Sequence, residues 1–245
     1  VHGVLAAFDS VLEEGEVWIV NDGSTDRTGI LADQLSRLDE RVRVIHQPRN
    51  MGFGAGYGAA LAQARLDYFT FVPGDNEITP DSVRTIFSKV GSADVVLPYH
   101  YNVWDRPWYR RLLTFGCTTL LNVLLGNRLK YYQGPNIYPT ALARILPQSA
   151  GGFFFLTEMT AQAVHLGYSV AHVGLIHQER EHGKSKALSW KNVRRAVQTI
   201  LRLWWNLTIL QKPFTVPTHV APPQERAEPK TWSSIVPESS EKVAV

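Results

Sequence analysis

Short β-rich runs alternate with helical patterns through the first hundred residues, and this alternation restricts the fold more than any other feature. The predicted strands are 17–20, 42–45, 68–72 and 95–97, and the helical patterns between them cover about 26–38, 54–64 and 80–88. Short loops between strands and helices indicate an α/β fold with a mostly parallel sheet and helices on both faces. In such sheets ligands bind beyond the carboxyl ends of the strands, so the loops after these strands are the candidate sites.

The second half of the chain is organised differently. Amphipathic helices are predicted at about 107–125, 157–166 and 189–208, with one strand near 169–173. Six of the 14 prolines then fall between Pro213 and Pro237, with Ser and Glu filling the gaps, which is typical of a disordered segment. We therefore expect an α/β domain over 1–188, an amphipathic membrane-interface helix over 189–211 and a disordered tail over 212–245.

Composition and charge narrow the class of protein. Apolar residues make up 44% of the chain, which excludes a wholly disordered protein. The net charge is only +3, but seven basic residues and one acid lie between Arg180 and Arg202, a block suited to phosphates, nucleic acid or an anionic membrane. The single cysteine, Cys117, excludes an internal disulfide and fits a reducing compartment. The longest uncharged run, 112–127, is shorter than the roughly 20 residues of a spanning helix, so we expect none.

The sequence NDGSTDRT, residues 21–28, follows the first predicted strand and opens a helix. Asp22 lies at the carboxyl end of that strand, where a carboxylate can accept hydrogen bonds from a base or a ribose. Gly23 permits a tight turn, and Ser24 or Thr25 can cap the helix. The simpler interpretation, that these residues serve only the turn and the cap, stays open here.

The sequence RNMGFGAGYGAA, residues 49–60, is glycine-rich and opens the next helix. Gly54, Gly56 and Ala59 satisfy the loose dinucleotide fingerprint, and Asp75 follows at about the expected distance of 20 residues. The glycines do not follow the preceding strand directly, because residues 47–51 intervene, and this disfavours an NAD-binding site. The fingerprint is therefore a weak alternative.

Two carboxylates, Asp75 and Glu77, follow the third predicted strand. Hard oxygen ligands at a strand end suit Mg²⁺ or Mn²⁺ that bridges a diphosphate. A polar loop with a helix N-cap before Pro80 would have the same composition. Four histidines invite a zinc interpretation, but their spacing contains no tight helical pair and no cysteine lies near them: His165, His172, His177 and His182. Structural or solvated roles are the better prediction for these histidines.

In this order the three motifs resemble family 2 glycosyltransferases of GT-A fold, most closely the polyprenol-phosphate (dolichol-phosphate) mannosyl- and glucosyltransferases. The resemblance covers about residues 4–190 and implies a further strand before the helical pattern at 4–12. It implies inverting transfer of a mannose- or glucose-type sugar from a GDP- or UDP-sugar to a polyprenyl phosphate, with Mg²⁺ or Mn²⁺. It also implies a peripheral protein on the cytoplasmic face of a membrane, with no nucleic acid partner.

The resemblance assigns roles to particular residues. Asp75 and Glu77 take the metal positions, and the nucleotide sugar is assigned to Asp22, Gly23, Asn50, Gly52, Gly54 and Asp75. Arg110 and Thr114 match an Arg-x-x-x-Ser pair at the acceptor phosphate. Residues 180–186 resemble an R-x-x-G-x-S-K loop, which places Arg180, Ser185 and Lys186 over the donor diphosphate and the acceptor phosphate. The implied catalytic residues are Asp75, Arg110, Arg180 and Lys186.

The chain departs from the family pattern at several positions, and two alternative functions follow. Pro73 replaces the first aspartate of the metal motif, His100 stands where an arginine is usual, and Tyr131 stands where an aspartate is usual. These departures favour a non-catalytic donor-binding or scaffold protein as one alternative. The other alternative is transfer to a sugar hydroxyl, which needs a general base. Glu158 is the candidate for that base. Because it coincides with an acidic position of the family, the resemblance implies one of two roles for it, contact with the sugar or support of the site.

Overall fold

The computed structural model describes residues 1–105, 107–148, 154–176, 178 and 190–210. The α-helices are α1 (His2–Val11), α2 (Thr28–Leu38), α3 (Phe53–Gln63), α4 (Pro80–Phe87), α5 (Trp108–Leu125), α6 (Thr140–Ile145), α7 (Phe154–His165) and α8 (Trp190–Trp204). The strands are β1 (Val17–Asn21), β2 (Val42–His46), β3 (Tyr68–Phe69), β4 (Val95–His100), β5 (Tyr138–Pro139) and β6 (Val170–Leu175). A 3₁₀ turn covers Val103–Asp105, and a π-helical turn, Trp205–Ile209, continues α8.

Parallel pairing dominates, as the sequence predicts. β1 and β2 run parallel, with Val17 opposite Val42 and Asn21 opposite His46. β4 and β6 also run parallel, whereas the short strands β3 and β5 pair antiparallel. Among the described strands β1 pairs with β2 alone. The predicted α/β class is therefore confirmed, and the carboxyl ends of β1 and β2 meet at one edge.

Several predicted boundaries differ from the structure. The strand predicted at 68–72 ends at Phe69, because β5 offers only Tyr138 and Pro139 as partners. α6 was not predicted, since its six residues are too short for a periodic pattern. The predicted helix at 189–208 is α-helical only to Trp204 and then widens into the π turn. The tail expected to be disordered, 212–245, lies outside the described residues.

Helix α3 is held against the sheet and the core in a way that places its first turn beside the end of β1. Gly56 allows the approach, since a Cβ there would lie 3.2 Å from the Val20 side chain. On its other side Tyr57 packs against Phe69 and Phe155, each with ring centroids 5.0 Å apart. Phe53 packs against Phe71 at 4.9 Å. These aromatic contacts anchor α3, so its N-terminus has a defined position.

Candidate active site

Asp22 bridges the end of β1 and the glycine-rich turn before α3. Its Oδ1 accepts a hydrogen bond of 2.7 Å from the Met51 N–H, and its Oδ2 accepts one of 2.9 Å from the Gly52 N–H. Gln47 lies beside Asp22, and with its amide nitrogen turned toward the carboxylate it donates to Asp22 while its oxygen accepts from the Gly56 N–H. Hydrogen bonds from backbone N–H groups to an ionised carboxylate are stronger than hydrogen bonds between two neutral groups. Asp22 therefore holds the two predicted donor loops together.

Gly23 is required at this junction for two independent reasons. Its φ is +68°, a left-handed conformation that side chains with a Cβ rarely adopt. A Cβ there would also lie 2.4 Å from the backbone carbon of Arg49. Gly52, with φ of +88°, is the N-cap of α3, and a Cβ there would meet open space. Glycine thus allows the two backbones to touch at residue 23, whereas at residue 52 it only sets the turn.

A chain of three side chains lies directly behind the turn at residues 21–24. Asp33 Oδ1 on α2 lies 2.9 Å from His46 Nε2, and His46 Nδ1 lies 3.0 Å from Asn21 Nδ2. Asn21 Oδ1 then accepts a 3.1 Å hydrogen bond from the Ser24 N–H. Asn21 is buried, whereas His46 is about half exposed. The sequence prediction missed this arrangement, although a histidine at the end of β2 beside a polar strand end was a usable signal.

The capping role predicted for Ser24 or Thr25 is wrong, because α2 begins only at Thr28 and Asp26 binds its first turn instead. Its Oδ1 accepts a 2.9 Å hydrogen bond from the Thr28 N–H at the start of α2. The hydrogen bonds from the Thr28 side chain and backbone hold the pKa of the Asp26 carboxyl below its ordinary value. Asp26 is exposed and serves the helix terminus.

The loop after β3 presents the predicted metal carboxylates. Asp75 is exposed and its Oδ1 accepts a 3.3 Å hydrogen bond from the Glu77 N–H, while Asn76 between them has a φ of +59°. The Glu77 carbonyl accepts a 2.8 Å hydrogen bond from the Gln178 N–H. The loop is therefore tied to the segment that follows β6. No cluster of three or more metal-binding side chains occurs in the described part of the chain.

Helix α5 carries the predicted acceptor residues, Arg110 and Thr114, which are both partly buried. The neighbouring Arg111 guanidinium lies 4.1 Å from the centre of the Trp104 ring, a cation–π contact that fixes the 3₁₀ turn against α5. Arg180, Ser185 and Lys186, the other predicted phosphate ligands, lie outside the described residues.

The outward face of α5 carries no charge. Large apolar side chains are exposed at helical spacing along it, and Trp108, Phe115 and Val123 are each more than 70% exposed. The other members of this face are Tyr109, Leu112, Leu113, Gly116, Thr119 and Leu120. A continuous exposed apolar surface of this length marks a protein or membrane contact. We refer to these nine residues as the α5 apolar face.

None of the described helices combines the length and the apolarity that crossing a bilayer requires.

Two of the three departures from the family pattern, His100 and Tyr131, lie next to each other. The rings of His100 and Tyr131 have centroids 5.1 Å apart at the end of β4. The Lys130 ammonium lies 4.3 Å from the centre of the Tyr99 ring, and Tyr99 also contacts His172 edge to face. Burial, together with the charge of Lys130, lowers the pKa of His172 below its ordinary value. The end of β4 therefore has a cationic group and several aromatic rings beside it, although His100 and Tyr131 replace the residues that are usual in the family.

Glu158 is buried on α7, and its Oε1 accepts a 2.8 Å hydrogen bond from Arg202 Nη2 on α8. The pair connects two helices. The preceding residue, Thr157, accepts a 3.0 Å hydrogen bond from the Gln133 amide. Of the two roles predicted for Glu158, this contact favours support of the structure over contact with a sugar.

The fold and the bridged loops define an α/β protein of the GT-A type, and comparisons with known proteins agree. The family model described as "Glycosyl transferase family 2" matches residues 2–157. The chain is 31% identical to the polyprenol monophosphomannose synthase of Mycolicibacterium smegmatis, with 74% of this chain and 73% of that protein covered. It is 26% identical to the undecaprenyl-phosphate mannosyltransferase of Micrococcus luteus, with 83% and 87% covered.

A solved structure shows the same fold. The glucosyl-3-phosphoglycerate synthase of Mycobacterium tuberculosis, crystallised with Mn²⁺, UDP-glucose and phosphoglyceric acid, matches with a TM-score of 0.61 at 20% identity. The match covers 82% of this chain and 74% of that one. The chain belongs to glycosyltransferase family 2, and it is a glycosyltransferase of GT-A fold.

Proposed function

We propose that the protein transfers a mannose- or glucose-type sugar, with inversion, from a GDP- or UDP-sugar to a polyprenyl phosphate. The observation that carries this proposal is the α5 apolar face, which lies on the same helix as Arg110 and Thr114. An acceptor with a phosphate head and an apolar tail needs both features together. The names of the two mannosyltransferase relatives support the same acceptor class and favour mannose.

The donor would bind at the bridged loops. Asp22, Gly23, Asn50, Gly52 and Gly54 lie in the two segments that the Asp22 carboxylate joins. Glycine positions let a ligand approach the backbone closely, and the N-terminus of α3 favours a negative charge. A nucleoside diphosphate has the shape and the charge that this junction accommodates.

Asp75 and Glu77 would hold Mg²⁺ or Mn²⁺ on the donor diphosphate. Their oxygen donors fit either ion, and two carboxylates leave coordination positions for phosphate oxygens. The exposure of Asp75 keeps its carboxylate accessible to a bound substrate. When bound, the cation would neutralise charge on the departing nucleoside diphosphate.

The acceptor phosphate would lie between Arg110 and Thr114 of α5 and Arg180, Ser185 and Lys186 of the basic loop. A phosphate monoester is largely dianionic near pH 7, with a second pKa of about 6, so it can attack without a side-chain base. Arginine donates in a planar fork that orients a phosphate. Transfer to a sugar hydroxyl is disfavoured, because its candidate base, Glu158, is buried against Arg202.

Helices α5 and α8 would lie at the membrane interface on the cytoplasmic face. Helix α8 supports this placement through a ridge of exposed apolar side chains one turn apart, Val197, Leu201 and Trp205. Arg194 and Arg202 are exposed beside this ridge. Apolar residues next to basic ones are typical of a helix that lies in an anionic interface. The single cysteine fits the reducing side of the membrane.

The experiment that tests the proposal is an assay of sugar transfer from GDP-mannose or UDP-glucose to undecaprenyl phosphate in detergent, with and without Mn²⁺. We expect transfer from one donor, dependent on the cation, and a loss of at least about a hundredfold in Asp75→Ala. Asp81→Ala is the matched control, because Asp81 is an exposed carboxylate in the first turn of the adjacent helix α4. Transfer to a glycoside hydroxyl but not to the lipid phosphate would contradict the proposal.

A further inference from the structure

The side chains of Asp33, His46 and Asn21 form a directed chain of hydrogen bonds that ends at the turn of residues 21–24, called the donor turn below. The Asp33 carboxylate only accepts, so His46 Nε2 carries the proton that joins them at 2.9 Å. In neutral histidine, Nδ1 is then the acceptor for the Asn21 amide N–H at 3.0 Å. This contact leaves Asn21 Oδ1 aimed at the Ser24 N–H. The chain therefore has one orientation, which runs from α2 through β2 to the turn that contains Asp22.

The surroundings leave this chain little freedom to rearrange. Asn21 is buried at the end of β1, so its amide cannot exchange these partners for bulk water. A Cβ at Gly29 on α2 would lie 3.0 Å from Asn21 Nδ2 and 3.5 Å from His46 Cε1. Glycine at this helical position therefore leaves the space in which the Asn21 amide and the imidazole meet.

We propose that Asp33, His46 and Asn21 are positioning residues that hold the 21–24 turn in its donor-binding shape and loosen it when His46 is protonated. The inference rests on the proposed function, because it assigns the turn to the sugar nucleotide. A protonated imidazole donates from both nitrogens, so its Nδ1–H faces the Asn21 Nδ2–H₂ and their hydrogen bond is lost. Flipping the amide to restore that bond would turn Nδ2 toward the Ser24 N–H. Either way the turn loses a contact, and donor affinity falls.

The charged groups around His46 determine whether donor affinity rises or falls as the pH changes. Asp33 from α2 is the charged group that contacts the ring within the described residues, and β1 contributes the neutral Asn21. Asn21→Asp places a second carboxylate on the ring, which favours the doubly protonated imidazole. The introduced carboxylate still accepts from the Ser24 N–H. Donor affinity in this variant should therefore rise as the pH falls, opposite to the wild type.

The test is calorimetric binding of GDP-mannose and UDP-glucose to the full chain, with Mn²⁺, at about pH 8 and about pH 6, a range in which histidine titrates. Both phosphates of a sugar nucleotide are diester-like, so the ligand keeps its charge. We expect wild-type affinity to fall about fivefold at the lower pH and the affinity of Asn21→Asp to increase. The steady-state KM for the donor should follow the binding data, while the KM for undecaprenyl phosphate stays constant. An equal pH response in both proteins would overturn the proposal.

A second variant pair keeps the inference testable if Asn21→Asp does not fold. Gly29→Ala should weaken donor binding about threefold or more by crowding the Asn21 amide, although alanine is the better helix former. Gly58→Ala, on α3, makes only an ordinary contact of 3.8 Å with Gln148 Oε1 and should leave donor binding unchanged. Equal donor binding in the two alanine variants would overturn the proposal. If the wild type binds neither sugar nucleotide, the proposed donor fails together with the inference, whereas wild-type binding with unaltered variants overturns the inference alone.

Discussion

The proposed donor turn, residues 21–24, and helix α5 position their predicted functional groups in opposite ways. At the donor turn, the Asp22 carboxylate and the Asn21 amide bind backbone N–H groups. Hydrogen bonds of 2.7 to 3.0 Å join these two residues to residues that are distant in sequence. Helix α5 instead holds Arg110 and Thr114 on a regular helix whose outward face is exposed and apolar. The donor turn is therefore defined by specific hydrogen bonds, whereas α5 is defined by its exposed apolar face.

This difference indicates how each region should respond to mutation. Changes at the donor turn should alter folding and donor affinity, since the same contacts serve both. Changes on the α5 apolar face should leave the fold and donor binding intact and alter only contact with a lipid surface. The following predictions test whether the two regions separate in this way.

The largest effect on stability is expected for Gly23→Ala. Alanine must adopt a φ of +68°, and its Cβ would lie 2.4 Å from the Arg49 backbone, so we expect a loss of about 2–4 kcal/mol in the free energy of unfolding. The matched control is Gly126→Ala at the end of α5, which has the same φ of +68° but open space around it. Its loss should be only about 1 kcal/mol. Equal losses in urea unfolding would show that the backbone contact at residue 23 has no energetic weight.

Asp22→Asn should lower donor affinity about tenfold or more, because an amide can accept only through its oxygen and cannot satisfy both the Met51 and the Gly52 N–H. Asp26→Asn is the control in the same loop, since Asp26 is exposed and bonds only locally to Thr28. It should bind the donor as the wild type does. Calorimetric titration with the sugar nucleotide measures both, and similar losses in the two variants would argue against a special role for Asp22.

Leu112→Asp should reduce binding to vesicles that contain anionic lipid about tenfold, because it places a charge within the α5 apolar face. Leu38→Asp, at an exposed leucine at the end of α2, makes the same chemical change outside the α5 apolar face. Cosedimentation should show loss of vesicle binding only in the first variant, while both keep the donor affinity of the wild type. Equal vesicle binding by both variants would remove α5 from the proposed membrane surface.

The smallest effect at neutral pH is expected for Tyr138, a buried residue of the hydrophobic core. Burial raises the pKa of the Tyr138 hydroxyl to about 12, whereas an unfolded tyrosine titrates near 10. The unfolded chain therefore releases the proton first, and stability should decrease as the pH rises from about 10 to 12. Tyr138→Phe should reduce this slope, with a separate constant loss from its hydrogen bonds to Thr160 and Asn136. Urea unfolding across this range measures the slope, and an unchanged slope would contradict the prediction.

Much of the region that contains β1, β2 and α2 could be predicted, because the sequence patterns that indicate these elements come from neighbouring residues. Strand and helix periodicity placed β1, β2 and α2 within two residues of their observed bounds, and the need for glycine at residues 23 and 52 follows from the turns between them. The carboxyl ends of parallel strands meet at one edge, so the candidate loops could be chosen without coordinates. The family assignment rests on the same ordered motifs and is confirmed by the family model and the relatives.

Other features could not be predicted, because they depend on which distant residues meet. Nothing in the pattern shows that Asp22 binds the backbone at Met51 and Gly52, or that His46 lies between Asp33 and Asn21. The pairing of Glu158 with Arg202 depends on how α7 packs against α8. The metal and acceptor roles predicted for Asp75, Glu77, Arg110 and Thr114 stay predictions that the transfer assay will test.

The sequence by itself determined the class of fold, the order of the motifs and the family, because periodicity, turn chemistry and motif spacing are properties of neighbouring residues. Only the tertiary structure decided which groups hold the donor turn in place and which side of α5 stays outside the core. A carboxylate at a strand end can bind a ligand, a metal ion or backbone N–H groups, and the sequence pattern around it is the same in each case. The choice depends on the partners that folding brings within hydrogen-bond distance, and at Asp22 those partners are the N–H groups of Met51 and Gly52.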